Sequence, residues 1–181
     1  MTTEIREEPR KAAIRTGKIV GLAYSDVLID NVRKRQHGSA QITRLGIPGD
    51  RHYGETRYSQ SQRKTLPNDR PITVVGAEAI RAACAKLGIP DVPTGGLGEN
   101  LQLHGLGDLS DLVEGDELHV LDANGQPKVV LRVSKQNDPC SNLMIYHKQM
   151  VRELMGKRGV ICTVLHEGTV HVGDTVELVR P

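Results

Sequence analysis

Two runs of alternating apolar residues, 116–121 and 129–133, flank an Asn124-Gly125 pair, and no other feature constrains the fold of this chain as tightly. Asn-Gly adopts the positive-φ turn that joins right-twisted antiparallel strands, so these runs are read as a β-hairpin. The same alternation recurs. Residues 17–24, 40–45, 71–75, 100–103, 160–165 and 169–179 read as strands, the last with Val170, Val172, Val176 and Leu178 set against polar neighbours. Gly-Asp occurs at 115–116 and again at 173–174, each marking a tight turn that enters a strand.

Helical spacing is confined to two stretches. Residues 77–87 place Ala77, Ile80, Cys84 and Leu87 on one face and end at Gly88 and Pro90; residues 141–154 place Leu143, Tyr146, Met150 and Leu154 likewise. Residues 52–69 are polar and read as a long loop, and the basic run 33–37 as a solvated one, with phosphate binding as its alternative. The glycine-rich segment 93–98 is no phosphate loop, because no Gly-Lys-Ser/Thr follows. Many short strands with two helices predict a mainly β fold, a bent antiparallel barrel capped by two helices, since such a sheet must hide its edges.

The chain has 181 residues, enough for one domain over 17–181; residues 1–16 mix Glu and Arg without an apolar run and are expected to be a partly disordered tail. No stretch has the length of a membrane span or the form of a secretory signal. A formal charge of +2 gives no field to recruit nucleic acid or a membrane surface, and with no Phe or Trp and four Tyr the platforms for single-stranded nucleic acid are missing. The core must be aliphatic. Three cysteines without a C-x-x-C pair indicate neither a disulfide framework nor a cysteine-rich zinc site, and fit a reduced, cytoplasmic protein.

Those cysteines differ in setting. Cys84 falls on a helical apolar face and Cys162 inside a strand, where a free thiol acts as a small hydrophobe. Cys140 follows a proline in the polar stretch 136–142, at the junction of a predicted strand and a predicted helix. A helix N-terminus favours thiolate over thiol, which points to a nucleophile or a metal ligand, with a buried structural cysteine as the alternative. Asp138 opposes that effect if its charge is free, and supports the junction if it caps the helix.

Four segments in order resemble the MOSC domain, named for the C-terminal domain of molybdenum cofactor sulfurase. They are residues 49–54 (Gly-Asp-Arg-His-Tyr-Gly), 70–75 with Glu78, 98–101 with Gly105, and Pro139-Cys140 with Leu143. The resemblance implies a barrel-like fold whose cysteine, here Cys140, either ligates molybdenum in a pterin cofactor (molybdopterin) or carries sulfur as a persulfide. It further implies reduction of small N-oxygenated substrates with electrons from a separate iron–sulfur or flavin partner, or sulfur delivered by a cysteine desulfurase. The candidate catalytic set is Cys140, Asp138 and His52. Arg51, Arg70, Glu99 and Asn100 are the candidates for holding the cofactor, Arg51 and Arg70 also reading as surface ion-pair partners and Glu99-Asn100 as a tie on the glycine-rich loop. Cofactor-free acid–base chemistry using Asp138, His52 or Glu99, with Cys140 as nucleophile, is the third reading.

Overall fold

The computed structural model describes residues 15–59 and 61–181. In chain order its strands are β1 (Arg15–Ala23), β2 (Gln36–His37), β3 (Ser39–Ile42), β4 (Thr56–Ser59), β5 (Lys64–Pro67), β6 (Ile72–Gly76), β7 (Leu101–His104), β8 (Glu117–Leu121), β9 (Pro127–Gln136), β10 (Val160–His166), β11 (Gly168–His171) and β12 (Thr175–Val179). The helices are α1 (Ala77–Leu87) and α2 (Met150–Glu153). Seven strands in the order β12-β8-β9-β10-β6-β7-β1 form the main wall, and pairing of β12 with β1 closes it into a barrel. Closure removes the exposed strand edges.

The barrel is antiparallel except where β6 runs parallel to β7. A parallel pair needs a crossover, and α1 supplies it. Its buried positions Ala79, Ile80, Ala83 and Cys84 face inward at helical spacing, and Gly88 ends it in the left-handed region at φ 65°. Because α1 covers one face of β6 and the barrel interior the other, all five residues of that strand are buried.

Two apolar clusters follow from this layering. Ile19, Val74, Leu103, Leu118, Leu131 and Cys162 are among those filling the barrel. Outside it, Val75, Ile80, Cys84, Leu97, Leu143 and Met150 form a second cluster under α1. Cys84 and Cys162 are thus core residues, and burial pushes the Cys162 thiol up to about 12.

The structure corrects the sequence reading in five places. Residues 141–154 are not one helix: a 3-10 turn (Ser141–Ile145) is followed by a break and then by α2. Residues 52–69 are not a structureless loop, since β4 and β5 form a hairpin within them. The last predicted strand is two, β11 and β12, split by the tight turn at Gly173-Asp174. The strand predicted over 40–45 ends at Ile42, where a turn between Thr43 and Gly46 takes over. The basic run 33–37 is not wholly solvated, for Lys34 is 3% exposed. Of the expected tail, residues 1–14 lie outside the described residues; Arg15 and Thr16 pair with Leu178 and Glu177 in β1. Among the described residues no helix is long and apolar enough to cross a membrane.

Candidate functional site

Beside the second cluster lies an open cavity of about 370 Å³, a size ordinary for a small-molecule site. Its wall is drawn from six separate segments: Leu28, Asn31, Val32 and Lys34 before β2; Arg51 and His52 before β4; Arg70 before β6; Leu97 and Gly98 before β7; Asp138, Pro139, Cys140 and Asn142 after β9; and Arg158 before β10. Four cationic side chains and an imidazole face one carboxylate. Val32 and Leu97 of this lining belong to the second cluster, so the cavity is built against the outside of the barrel.

One side of the cavity is a buried polar lattice. Lys34 Nζ donates to Asp50 Oδ2 at 3.0 Å, with neither side chain exposed. Asp50 also accepts the backbone N–H groups of Ser25 and His52, each at 3.2 Å. Burial lowers the pKa of Lys34 and Asp50 opposes the shift. His52 is pushed down to about 3, by burial first and then by Lys34, Arg51 and Arg70. Its Nδ1 lies 3.7 Å from Asp50 Oδ2, too far for a hydrogen bond, and the neutral ring makes no ion pair there.

The glycine-rich segment is fastened to the same lattice. Glu99 accepts the N–H groups of Gly95 at 2.7 Å and Leu97 at 3.0 Å. Burial raises the Glu99 pKa against the pull of these donors and of Lys34. Gly95 sits at φ 80°, and a Cβ there would come within 2.6 Å of the Lys34 carbonyl oxygen, so the two segments meet backbone to backbone. Asn100 Oδ1 accepts from the Thr73 N–H at 3.0 Å and hydroxyl at 3.1 Å, while its Nδ2 donates to the Ala23 carbonyl at 3.2 Å. Glu99 and Asn100 therefore bind backbone and neighbouring strands, and neither lines the cavity.

The opposite side carries the thiol. Cys140 is exposed and precedes the 3-10 turn, whose Leu143 N–H returns to the Cys140 carbonyl at 3.1 Å. A single 3-10 turn lacks the aligned peptides of a long helix, so the dipole argued from the sequence is not available to this sulfur. Asp138 caps nothing; its carbonyl accepts from Arg158 Nη1 at 2.6 Å. Arg158 Nη2 donates to the Leu97 carbonyl at 2.8 Å, and the guanidinium thereby joins the cysteine segment to the glycine-rich one. Asn142 Nδ2 donates to the Asn31 carbonyl at 3.2 Å, a second tie across the mouth.

Among the described side chains, the Nε atoms of Arg70 and Arg158 and Nδ1 of His52 are buried without a hydrogen-bond partner. Such atoms are costly to leave unmatched, and all three belong to residues lining this cavity. A cationic donor set with unused N–H groups is suited to an anion, and an exposed cysteine sulfur beside it to a soft metal or sulfane sulfur. No group of three or more His, Cys, Asp or Glu suited to a metal occurs among the described residues, so a metal here would rest on Cys140 and on ligands brought with it.

Of the residues singled out in the sequence, Cys140, Asp138, His52, Arg51 and Arg70 meet at the cavity. Arg158 was missed; Lys34 stood only within the basic run and the supporting Asp50 only within the Gly-Asp-Arg-His segment, neither singled out for the site. Lys34 is buried between half-buried Arg33 and exposed Arg35, a difference hidden inside a basic run. Nothing in the sequence separates Arg158 from Lys157.

Comparison with known proteins bears on the family and the fold. The family model of the MOSC domain matches residues 48–177. A Bacillus subtilis (strain 168) protein, YuaD, named for metal-sulfur cluster biosynthesis, is 29% identical over 180 residues, covering 90% of each chain. The crystal structure of YuaD superposes with a TM-score of 0.78 at 27% identity, covering 91% of this chain and 96% of that one. YiiM from Geobacillus stearothermophilus shares the fold, with a TM-score of 0.64 at 20% identity over 91% of this chain and 75% of its own.

Proposed function

The chain belongs to the MOSC domain family, and on that premise we propose that it binds a phosphate-bearing molybdenum pterin cofactor through Cys140 and reduces small N-oxygenated compounds. The observation that carries the reading is an exposed cysteine in a cavity with Lys34, Arg51, Arg70 and Arg158. The unmatched Nε atoms of Arg70 and Arg158 fit the anionic part of such a group, and the thiolate fits its metal. When bound, the cofactor supplies a redox-active metal that relays electrons to the substrate.

The side chains have separable tasks in this scheme. Cys140 Sγ is the protein's ligand. Arg51, Arg70 and Arg158 neutralise the phosphate, while the buried Lys34–Asp50 pair fixes the wall behind them. His52, neutral at pH 7 with its pKa near 3, accepts or donates a hydrogen bond without adding charge. Exposed Asp138 stands at the lip as the acid–base group nearest in sequence to the thiol. Reduction of R–NHOH to R–NH2 and water consumes two electrons and two protons, and a chain with three unpaired cysteines has no cluster to store them. An iron–sulfur or flavin protein supplies the electrons.

Molybdenum analysis of protein from a cofactor-competent host tests this. One molybdenum per chain, lost in Cys140→Ala, is the expected result; metal-free protein from such a host contradicts it.

The name of YuaD and the exposure of Cys140 favour a second reading, a persulfide carrier loaded by a cysteine desulfurase. Intact mass after exposure to a desulfurase and cysteine then rises by one sulfur, located on Cys140. A cofactor-free reaction would rest on Asp138 beside Cys140, because Glu99 does not line the cavity and burial holds the His52 imidazole neutral.

A further inference from the structure

Cys140 is exposed, while Cys84 and Cys162 are buried. The cavity it borders continues outward into an open groove of about 690 Å³, which shares Leu28, Asn31, Arg51 and Asn142 with it and adds Asp26 and Val27. Together the two have room for a peptide-sized molecule and not only for a small ion. Their charge is lopsided, for Lys34, Arg51, Arg70 and Arg158 stand against Asp26 and Asp138. The buried wall also holds unused donors. The Lys34 side chain is 0% exposed, and among the described residues Asp50 is the one hydrogen-bond acceptor that its three N–H groups meet. The Nε atoms of Arg70 and Arg158 are buried and meet none.

We propose that Cys140 is a thiolation site for anionic low-molecular-weight disulfides, and that the cap so formed closes the cavity when such disulfides accumulate. The inference stands on the sulfur and the cations around it, and holds whether or not the site takes a metal. In the exchange, Cys140 Sγ bonds to the nearer sulfur of the disulfide and the reagent's own S–S bond breaks. The cysteine is oxidised and the departing half is reduced, leaving as a thiol with the Cys140 proton. The cationic wall favours this step in two ways. It raises the local concentration of an anionic reagent, and its N–H groups pair with the carboxylates of the half that stays. A capped sulfur neither ligates a metal nor accepts sulfane sulfur. Attack by a second thiol on the capping sulfur releases the cap as a disulfide and restores the Cys140 thiol.

Reagent charge tests this on the reduced, metal-free full chain. Oxidised glutathione, a net anion, and cystamine, a dication, are each reacted with the protein and with free β-mercaptoethanol, and each protein rate is divided by that of the free thiol. The corrected rates should favour glutathione by at least about tenfold at low salt, and the preference should shrink as added salt screens the cavity. Peptide mapping should place the glutathionyl group on Cys140, with Cys84 and Cys162 unmodified. Arg51→Glu with Arg70→Glu should cut the preference at least about tenfold. Lys18→Glu, a charge reversal on β1 where Lys18 faces Thr175 of β12, should leave it unchanged. A smaller or inverted preference in the parent protein, one indifferent to salt, or an adduct on another cysteine overturns the proposal. So does a preference that survives in the arginine pair or falls as far in Lys18→Glu. Molybdenum binding and this preference are measured separately, so either reading falls without the other.

Discussion

The two sides of the cavity are built on opposite principles. Lys34, Asp50, Glu99 and Asn100 are buried, and each meets backbone or a charged partner. The Cys140 sulfur side is exposed, lies in the irregular stretch between β9 and the 3-10 turn, and is tied by Arg158 and Asn142 to the segments across the mouth. A rigid wall can hold cations at fixed positions without their collapsing onto one another, while a thiol on an open lip stays within reach of a ligand or a partner. Fixed charges and an accessible sulfur are a division of labour suited to holding a large anionic group from one side and completing its coordination from the other.

Breaking the rigid wall should have the largest effect. Lys34→Met leaves the Asp50 carboxylate buried without its cation, a loss of about 3–5 kcal/mol in urea unfolding. Adding Asp50→Asn removes the stranded charge, and a large part of that loss should return.

The imidazole on the same wall gives the next effect. With a native pKa near 3 against an ordinary 6.5, His52 excludes a proton that the unfolded chain binds. Its contribution is therefore complete above pH 6.5 and is lost as pH falls from 6.5 toward 3, at up to about 1.4 kcal/mol per pH unit. Urea midpoints measured between pH 7 and 5 should decline less in His52→Gln than in the parent.

Arg158→Ala acts on the other side. It removes charge-assisted bonds to the Asp138 and Leu97 carbonyls, and the expected global loss is about 1–2 kcal/mol. Its sharper signature is local: hydrogen exchange at the Leu143 amide, bonded to the Cys140 carbonyl, should quicken, while that of Ser25, bonded to Asp50, should not. Equal change at both sites would erase the distinction between the walls.

The smallest effect belongs to Asp69, which anchors the root of the β4–β5 hairpin through Arg57 at 2.5 Å and Lys135 at 2.6 Å. Partial burial works against ionisation, but these two cations bring its pKa to about 2. The contribution is present above pH 3.8 and lost as pH falls toward 2. Since the carboxylate is 42% exposed, solvent screening holds the cost of Asp69→Asn under about 1 kcal/mol.

How much of this was legible depended on whether local pattern and tertiary structure agreed. In α1 they did: apolar spacing, a following Gly88 and the crossover geometry demand the same helix. After Cys140 they did not. Leu143, Met150 and Leu154 keep helical spacing and are all buried, yet the chain breaks between Tyr146 and Gln149, where the Tyr146 hydroxyl donates to the Gly96 carbonyl at 2.7 Å. Spacing reported which side chains face the core and not the path between them. The β4–β5 hairpin escaped notice because it has hardly any apolar face and rests on backbone pairing and the ties of Asp69. In the site, the residues found were those standing in recognisable motifs. Lys34 and Arg158 were not singled out because their roles come from contacts 16 to 61 residues away, which no local pattern encodes.

The most direct test of cysteine ligation is molybdenum-edge X-ray absorption on protein purified from a cofactor-competent host, compared with Cys140→Ser. A sulfur shell smaller by one neighbour in the variant is the expected outcome. An identical shell in the two proteins would contradict a bond between Cys140 and the metal.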